Sequence, residues 1–222
     1  MNEINARHLQ NGVRMIDPAA TYIDETVEIA ADVTIYPNAV LEGACKIEAG
    51  AYIGPGAHLK NVYVGPNAKI HSYSVLTDAK VGADTDIGPF AYLRGNAEVG
   101  ERCRIGSFVE IKKSRVGDDT NAAHLAYIGD AAVGRNVNIG CGVITANYDG
   151  KTKSRTVIGD NAFIGSNANL IAPVEVGEWG YIAAGSTVNE DIPADALAIA
   201  RARQVVKPDW DKNPYKAKHA GN

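Results

Sequence analysis

Aliphatic side chains return every sixth position along most of this chain, beginning with Ile29, Ile35, Leu41, Ile47, Ile53 and Leu59. The beat slips by one residue and resumes at Val64, Ile70 and Leu76. It slips again to Val81, Ile87, Leu93, Val99, Ile105 and Ile111, then to Val116, Ile128, Val133 and Ile139. The last run is Ile158, Ile164, Leu170, Val176, Ile182 and Val188. Four positions after many of these stands a small or β-branched residue: Ala57, Ala68, Thr85, Ala91, Val109, Val137, Ala162, Ala168. A period of six fits neither a helix nor a simple alternating strand. It fits a short strand followed by a corner, with the aliphatic residue and the small residue both pointing inward. Glycine often follows the aliphatic residue, as at Gly54, Gly82, Gly106, Gly134 and Gly165, and is expected to supply the backbone geometry of the turn.

Three such units close one coil of a triangular parallel β-helix. The slips fall after Leu59, Leu76, Ile111 and Ile128, spaced as whole coils in which one corner is often a residue short. From about Val27 to Val188 the chain therefore forms roughly nine coils, a prism on the order of 40 Å tall. Each coil is covered only by its neighbours, so both ends need caps. The fold class is all-β. We divide it into an N-terminal linker and cap (1–23), the β-helix (24–192) with an inserted loop (146–156), and a C-terminal cap and arm (193–222). The arm carries Pro193, Pro208 and Pro214 with Lys207, Lys212, Lys216 and Lys218. Periodicity alone leaves the hand of the coil open, although parallel crossovers are normally right-handed.

Composition narrows the function. Of 222 residues, 45% are hydrophobic and 22% charged, enough to bury a core, while aromatics are only 7%. Small and branched side chains must fill the interior. A net charge of −4 speaks against a nucleic-acid partner. No apolar run reaches the length of a membrane span, and MNEINARHLQNG lacks the apolar stretch of a signal peptide. Three cysteines form no paired motif, so a reducing, cytoplasmic setting is expected. Cys45 and Cys103 fall in the small inward slot, whereas Cys141 does not.

Breaks in a strong repeat are where function is sought. One lies between Val116 and Ile128, where Ala122 takes the aliphatic position within NAAHLAYIGD; it suggests a disturbed coil around His124 and Tyr127. The other is the polar insert ANYDGKTKSRT, which should project as a loop. Both could equally be tolerated insertions. Of the five histidines, His8 and His219 are expected to be solvated near the ends, and His58 and His71 to lie on the surface. None is spaced for a three-histidine zinc site. His124 is the candidate general base, against the plain alternative of a structural histidine. Arg94 and Lys112 are separated by three full units of the repeat, which sets one a coil above the other. Together they could hold a phosphate or simply be solvated charge. Glu110 could orient His124 or pair with Lys112.

The segments GPFAYLRG, FVEIKKSRVG, AAHLAYIGDAAVGRNVNIG, ITANYDG and AIARARQ together resemble the C-terminal half of the GlmU family. Its members are bifunctional N-acetylglucosamine-1-phosphate uridyltransferases and glucosamine-1-phosphate acetyltransferases. The resemblance runs from Asn11 to Lys212, and HLxYxGD and NYDG make it specific. It implies a left-handed β-helix, a homotrimer with active sites between subunits, and acetyl transfer from acetyl-CoA to the amine of glucosamine 1-phosphate. By matching motif, His124 becomes the catalytic base, Arg94 and Lys112 phosphate contacts, and Tyr127 and Asn138 sugar contacts. Asn147, Tyr148, Ser166, Ala184 and Arg201 become acetyl-CoA contacts. Cys141 stands near that site where the family often has alanine; Lys153 and Trp210 also match positions close to it. No metal is required for this chemistry. The uridyltransferase half and its UTP-using step are expected to be missing. Arg94 is followed by Gly95-Asn96 instead of Pro-Gly, which could loosen the phosphate contact. A different amine acyltransferase on the same prism and a non-catalytic scaffold are the competing readings.

Overall fold

A computed structural model describes residues 3–208; Trp210, His219 and the last lysines of the arm lie outside the described residues. The chain winds as a parallel β-helix with three flat faces. The first face is an eleven-stranded sheet, and the second and third share a sixteen-stranded sheet bent along one corner. Strands His58–Val64, Val75–Val81 and Tyr92–Val99 run continuously around that bend. The aliphatic beat becomes vertical columns. Ile53 pairs in register with Ile70, Ile70 with Ile87, and Ile87 with Ile105. The first two steps are a residue short of three full units and the third is not, as the slips require. Leu59, Leu76, Leu93, Ile111 and Ile128 form the corresponding column of the second face. All of these are essentially inaccessible to solvent, each contributing about 1.5–3 kcal/mol by burial. The small slot is buried as well, Cys45 and Cys103 included, while Cys141 is exposed.

Four features differ from the expectation. Pairing begins at Arg14–Met15 and ends at Leu197–Ala198, beyond the aliphatic run at both ends. At the lower end Ile23, six residues before Ile29, keeps the beat, whereas the buried Met15, eight before Ile23, continues the coil without it. The glycines after the aliphatic residues do not make the turn. Gly82 has no positive φ; instead a Cβ there would come 2.5 Å from the backbone of Gly100 in the next coil. Glycine lets coils stack closely, and the left-handed corner falls two residues later, on Asp84, Arg102, Asp119 and Asn136. Asn and Asp suit that conformation because their short polar side chains bond locally. They form ladders up the corner, as in Asn67 to Asp84 at 3.1 Å and Asn136 to Asn161 at 2.9 Å.

Finally, the coil at Ala122 is not disturbed. Strand Asn121–His124 pairs in register below with Arg104–Ser107, and Ala122 stacks between Ile105 and Ile139. Only side-chain volume departs from the repeat. The lower end is closed by helix α1 (Glu3–Gln10). His8 on this helix is 4% exposed, with neither ring nitrogen hydrogen-bonded. It is a lid residue and not solvated, because an open bottom coil would leave apolar side chains in water.

Candidate functional site

The corner joining the first face to the second carries one outward residue per coil just before each left-handed turn. Ser107 pairs with His124. The ladder Ala122, Ile139, Ile164, Ile182 places Cys141, Ser166 and Ala184 above His124, each two residues past its rung. All four are exposed. At strand spacing the column rises roughly 14 Å from His124 to Ala184. Arg201 stands at its top, its Cδ 3.7 Å from where a Cβ on Gly185 would lie. Beneath His124 the same corner shows an apolar stack, Tyr73 on Phe90 at 5.4 Å and Phe90 on Phe108 at 5.3 Å.

The second face runs from this corner to the next and carries the charged cluster. Arg94 and Lys112 are direct neighbours in register, as their spacing predicts. Each already holds a carboxylate. Arg94 donates from Nε and Nη2 to Glu110 Oε1 at 2.9 and 2.7 Å, which raises its pKa. Glu110 is thus Arg94's partner, and neither Lys112's nor His124's. It sits beside Lys112 on the same strand, and the longer guanidinium reaches it diagonally. Lys112 donates from Nζ to Asp130 Oδ2 at 2.7 Å, with side chains only 13% and 14% exposed. That carboxylate holds the lysine above its usual range. Asp130 itself is pushed up by burial but more strongly down by Lys112 and Asn147, so its carboxyl lies below the ordinary range. Tyr127 faces the same way, its ring lying over Gly129, where a Cβ would meet Cζ at 2.5 Å.

The insert leaves after Ile144–Ala146 and returns at Thr156–Ile158. Residues 147–154 form a small hairpin: Tyr148 bridges Lys153 antiparallel, and Ser154 N donates to Asn147 O at 3.0 Å. Asp149 closes its tip by accepting from Lys151 N, Thr152 N and Thr152 Oγ1. Asp130 grips both ends of this hairpin. Its carboxylate accepts from Asn147 Nδ2, and its carbonyl accepts from Thr156 N at 3.4 Å. The sequence pattern assigns Asp130 no role, although it is the last letter of the HLxYxGD motif. Lys153 lies close enough to Lys112 that its own pKa is pushed down by that like charge. A cleft of about 560 Å³ opens under the hairpin, lined in part by Gly95, Asn96, Lys113, Lys153 and Arg155.

Within the single chain these residues fall into three groups. His124, Cys141, Ser166, Ala184 and Arg201 share one corner. Arg94, Glu110, Lys112, Tyr127, Asp130, Asn147 and Lys153 share the second face and its far edge, with Tyr148 on the hairpin. Asn138 lies on the first face, paired with Asn121 and Phe163, around the corner from Tyr127. The two sets of expected coenzyme contacts thus stand on opposite edges of one face, on the order of 15 Å apart. Among the described residues, no three His, Cys, Asp or Glu side chains converge to hold a metal ion, and no helix is long and apolar enough to cross a membrane.

The six-repeat family described as bacterial transferase hexapeptide matches residues 26–61, 44–78, 78–113 and 155–190, more than half the chain. The chain belongs to the bacterial hexapeptide transferases. The coil of this transferase is accordingly left-handed, against the general rule for parallel crossovers. It is 52% identical over 209 residues to the bifunctional protein GlmU of Acetivibrio thermocellus, covering 94% of this chain and 45% of that protein. It is 54% identical over 213 residues to the GlmU of Bacillus velezensis, covering 96% and 46%. The chain thus spans about half the length of the curated relatives it matches. A UDP-N-acetylglucosamine acyltransferase from Campylobacter jejuni shares the fold at a TM-score of 0.58 and 20% identity, over 84% of this chain and 71% of that one.

Proposed function

We propose that this hexapeptide transferase moves the acetyl group of acetyl-CoA to the amine of glucosamine 1-phosphate. It would do so as a homotrimer in the cytoplasm, with sites between subunits. The product, N-acetylglucosamine 1-phosphate, would serve UDP-N-acetylglucosamine synthesis. The observation that carries the reading is the corner column, with His124 at its foot and small residues above, bordering a face that presents Arg94, Lys112 and Tyr127. A column of Cys141, Ser166 and Ala184 leaves room for an extended thioester arm to lie against the edge. Arg94 and Lys112 would share the acceptor's phosphate, the guanidinium as a fork and the ammonium as a point charge.

His124 would take the proton from the attacking amine, which forms the new C–N bond as the thiolate of coenzyme A leaves. General-base help of this kind contributes about 10²–10⁴-fold, roughly 3–5 kcal/mol of barrier. A backbone N–H near the hairpin would stabilise the developing oxyanion. Asn138 would join Tyr127 at the sugar only if two protomers contribute faces, and the split of the coenzyme contacts between two edges supports the same assembly. The test is free-thiol release from acetyl-CoA with glucosamine 1-phosphate as acceptor, alongside other amino sugars and small amines. Activity on glucosamine 1-phosphate that drops by about 100-fold or more in His124→Ala is expected. A panel in which another amine is preferred, or a variant with wild-type turnover, would overturn it.

A further inference from the structure

We infer that Asp130 is a positioning residue that couples acceptor binding to coenzyme binding; this rests on the reading above. Asp130 is the one carboxylate among the described residues that touches both machineries. Its Oδ2 accepts from Lys112 Nζ at 2.7 Å, the cation assigned to the acceptor's phosphate. The same oxygen accepts from Asn147 Nδ2, at the root of the hairpin assigned to the coenzyme. Its carbonyl takes the amide of Thr156, where the hairpin rejoins the coil. The hairpin is braced internally by the Tyr148–Lys153 bridge and the Ser154 to Asn147 bond, so a shift of Asn147 carries Tyr148 and Lys153 with it.

The direction of coupling follows from the charges. Without an anion, Lys112 and Lys153 repel one another while Lys112 competes with Asn147 for one carboxylate oxygen. A phosphate placed against Lys112 satisfies that ammonium and screens it from Lys153. Lys153 can then approach, and Asp130 is left to Asn147. Both effects draw the hairpin toward the face, so acceptor favours coenzyme. By linkage, coenzyme favours acceptor by the same factor.

The experiment is calorimetric titration of the full chain with coenzyme A, alone and with saturating glucosamine 1-phosphate. In wild type the acceptor should tighten coenzyme A about fivefold or more, the lower end of ordinary coupling. In Asp130→Asn the ratio of the two dissociation constants should fall to about one, whatever happens to the individual affinities. Asn147→Ala breaks the same link from the other side and carries the test if Asp130→Asn does not fold. The double variant should show no further loss of coupling. A merely structural role would weaken both affinities and leave the ratio intact; that outcome overturns the inference while leaving the functional reading standing. A wild-type chain that binds both ligands with a ratio of one overturns it too. Failure of wild type to bind either ligand overturns the functional reading, and the inference with it.

Discussion

Gly129→Ala isolates the contribution of Tyr127 without touching Tyr127. The two residues are i and i+2 on strand Tyr127–Gly129, so both face outward on the same side. The ring has room to lie along the strand only because Gly129 has no side chain. A Cβ there would sit 2.5 Å from Cζ and 2.7 Å from Cε1 of Tyr127, against an ordinary carbon contact of about 3.5–4 Å. The ring must therefore swing outward by about 1 Å. The backbone need not move, since Gly129 lies outside the left-handed region and its obstacle is a side chain. Alanine also narrows the unfolded ensemble, worth about 0.4–1 kcal/mol in favour of folding.

The variant should consequently melt at or slightly above the wild-type temperature. On the proposed reading, in which the Tyr127 phenol contacts the acceptor, displacing it removes one neutral hydrogen bond, about 0.5–1.5 kcal/mol, or roughly two- to tenfold in affinity. Steady-state kinetics should show the KM for glucosamine 1-phosphate raised by that factor, with the KM for acetyl-CoA unchanged. Tyr127→Phe should reproduce the effect. An unchanged acceptor KM would refute the placement of Tyr127 at the sugar. A loss of several degrees in melting temperature would refute the claim that only the ring is in the way.

Other perturbations separate parts of the fold. Gly82→Ala drives a Cβ into the next coil's backbone, which cannot swing aside. It should cost about 1–3 kcal/mol in chemical denaturation as overpacking does, and a neutral result would show that coils can spread. Burial pushes the Cys45 and Cys103 thiols up, the latter to about 11, whereas Cys141 is exposed. A thiol reagent should thus label one cysteine quickly in the folded chain and three in denaturant, and rapid labelling of a second would place it outside the core. His8 has its pKa lowered, first by burial and then by Arg7. The unfolded chain binds a proton near 6.5 that the folded cap resists, so stability should be full above that pH and decline as pH falls below it. Urea melts between pH ~7.5 and ~5 should show this slope, and His8→Leu should flatten it; an equal slope in both would acquit His8.

The prism was legible because its rule is repeated many times over. Each aliphatic position tests the same hypothesis, and the one-residue slips count the faces. What the pattern could not show was why glycine stands where it does. A glycine beside a corner reads as a turn residue, yet the turn belongs to Asp84 or Asn136, and the glycine answers to the coil above it. His8 defies its expectation for a similar reason: nearness to a terminus says nothing about what an open end of a solenoid requires. Arg94 and Lys112 meet as expected, since a step of three full units makes vertical neighbours. Their carboxylate partners were hidden, because diagonal contacts such as Arg94 to Glu110 depend on side-chain reach. Asp130 was in plain view in the motif, but its role depends on a hairpin whose two ends meet only in space.

The position of the candidate site follows from what the coil leaves free. Two positions in each six are committed to the interior, the glycine position to close stacking, and the left-handed position mostly to Asn, Asp or Gly, with Tyr73, Phe90, Arg102 and Phe108 among the exceptions. Most of the candidate chemistry uses the remaining outward positions, which His124, Lys112, Arg94 and Tyr127 occupy, while Asp130 stands at a left-handed one. A flat face, however, gives no concavity in which water can be excluded and a thioester held. A rigid prism can acquire one by throwing out a loop or by setting a second prism against itself. The hairpin at 147–154 is the first device. On the proposed reading, the division of the matched residues among one corner, one face and the neighbouring face favours the second, since no bending of so regular a coil would bring Asn138 to Tyr127. In this reading the repeat supplies stiffness and spacing, and its single large interruption supplies the hairpin that Asp130 holds at both ends.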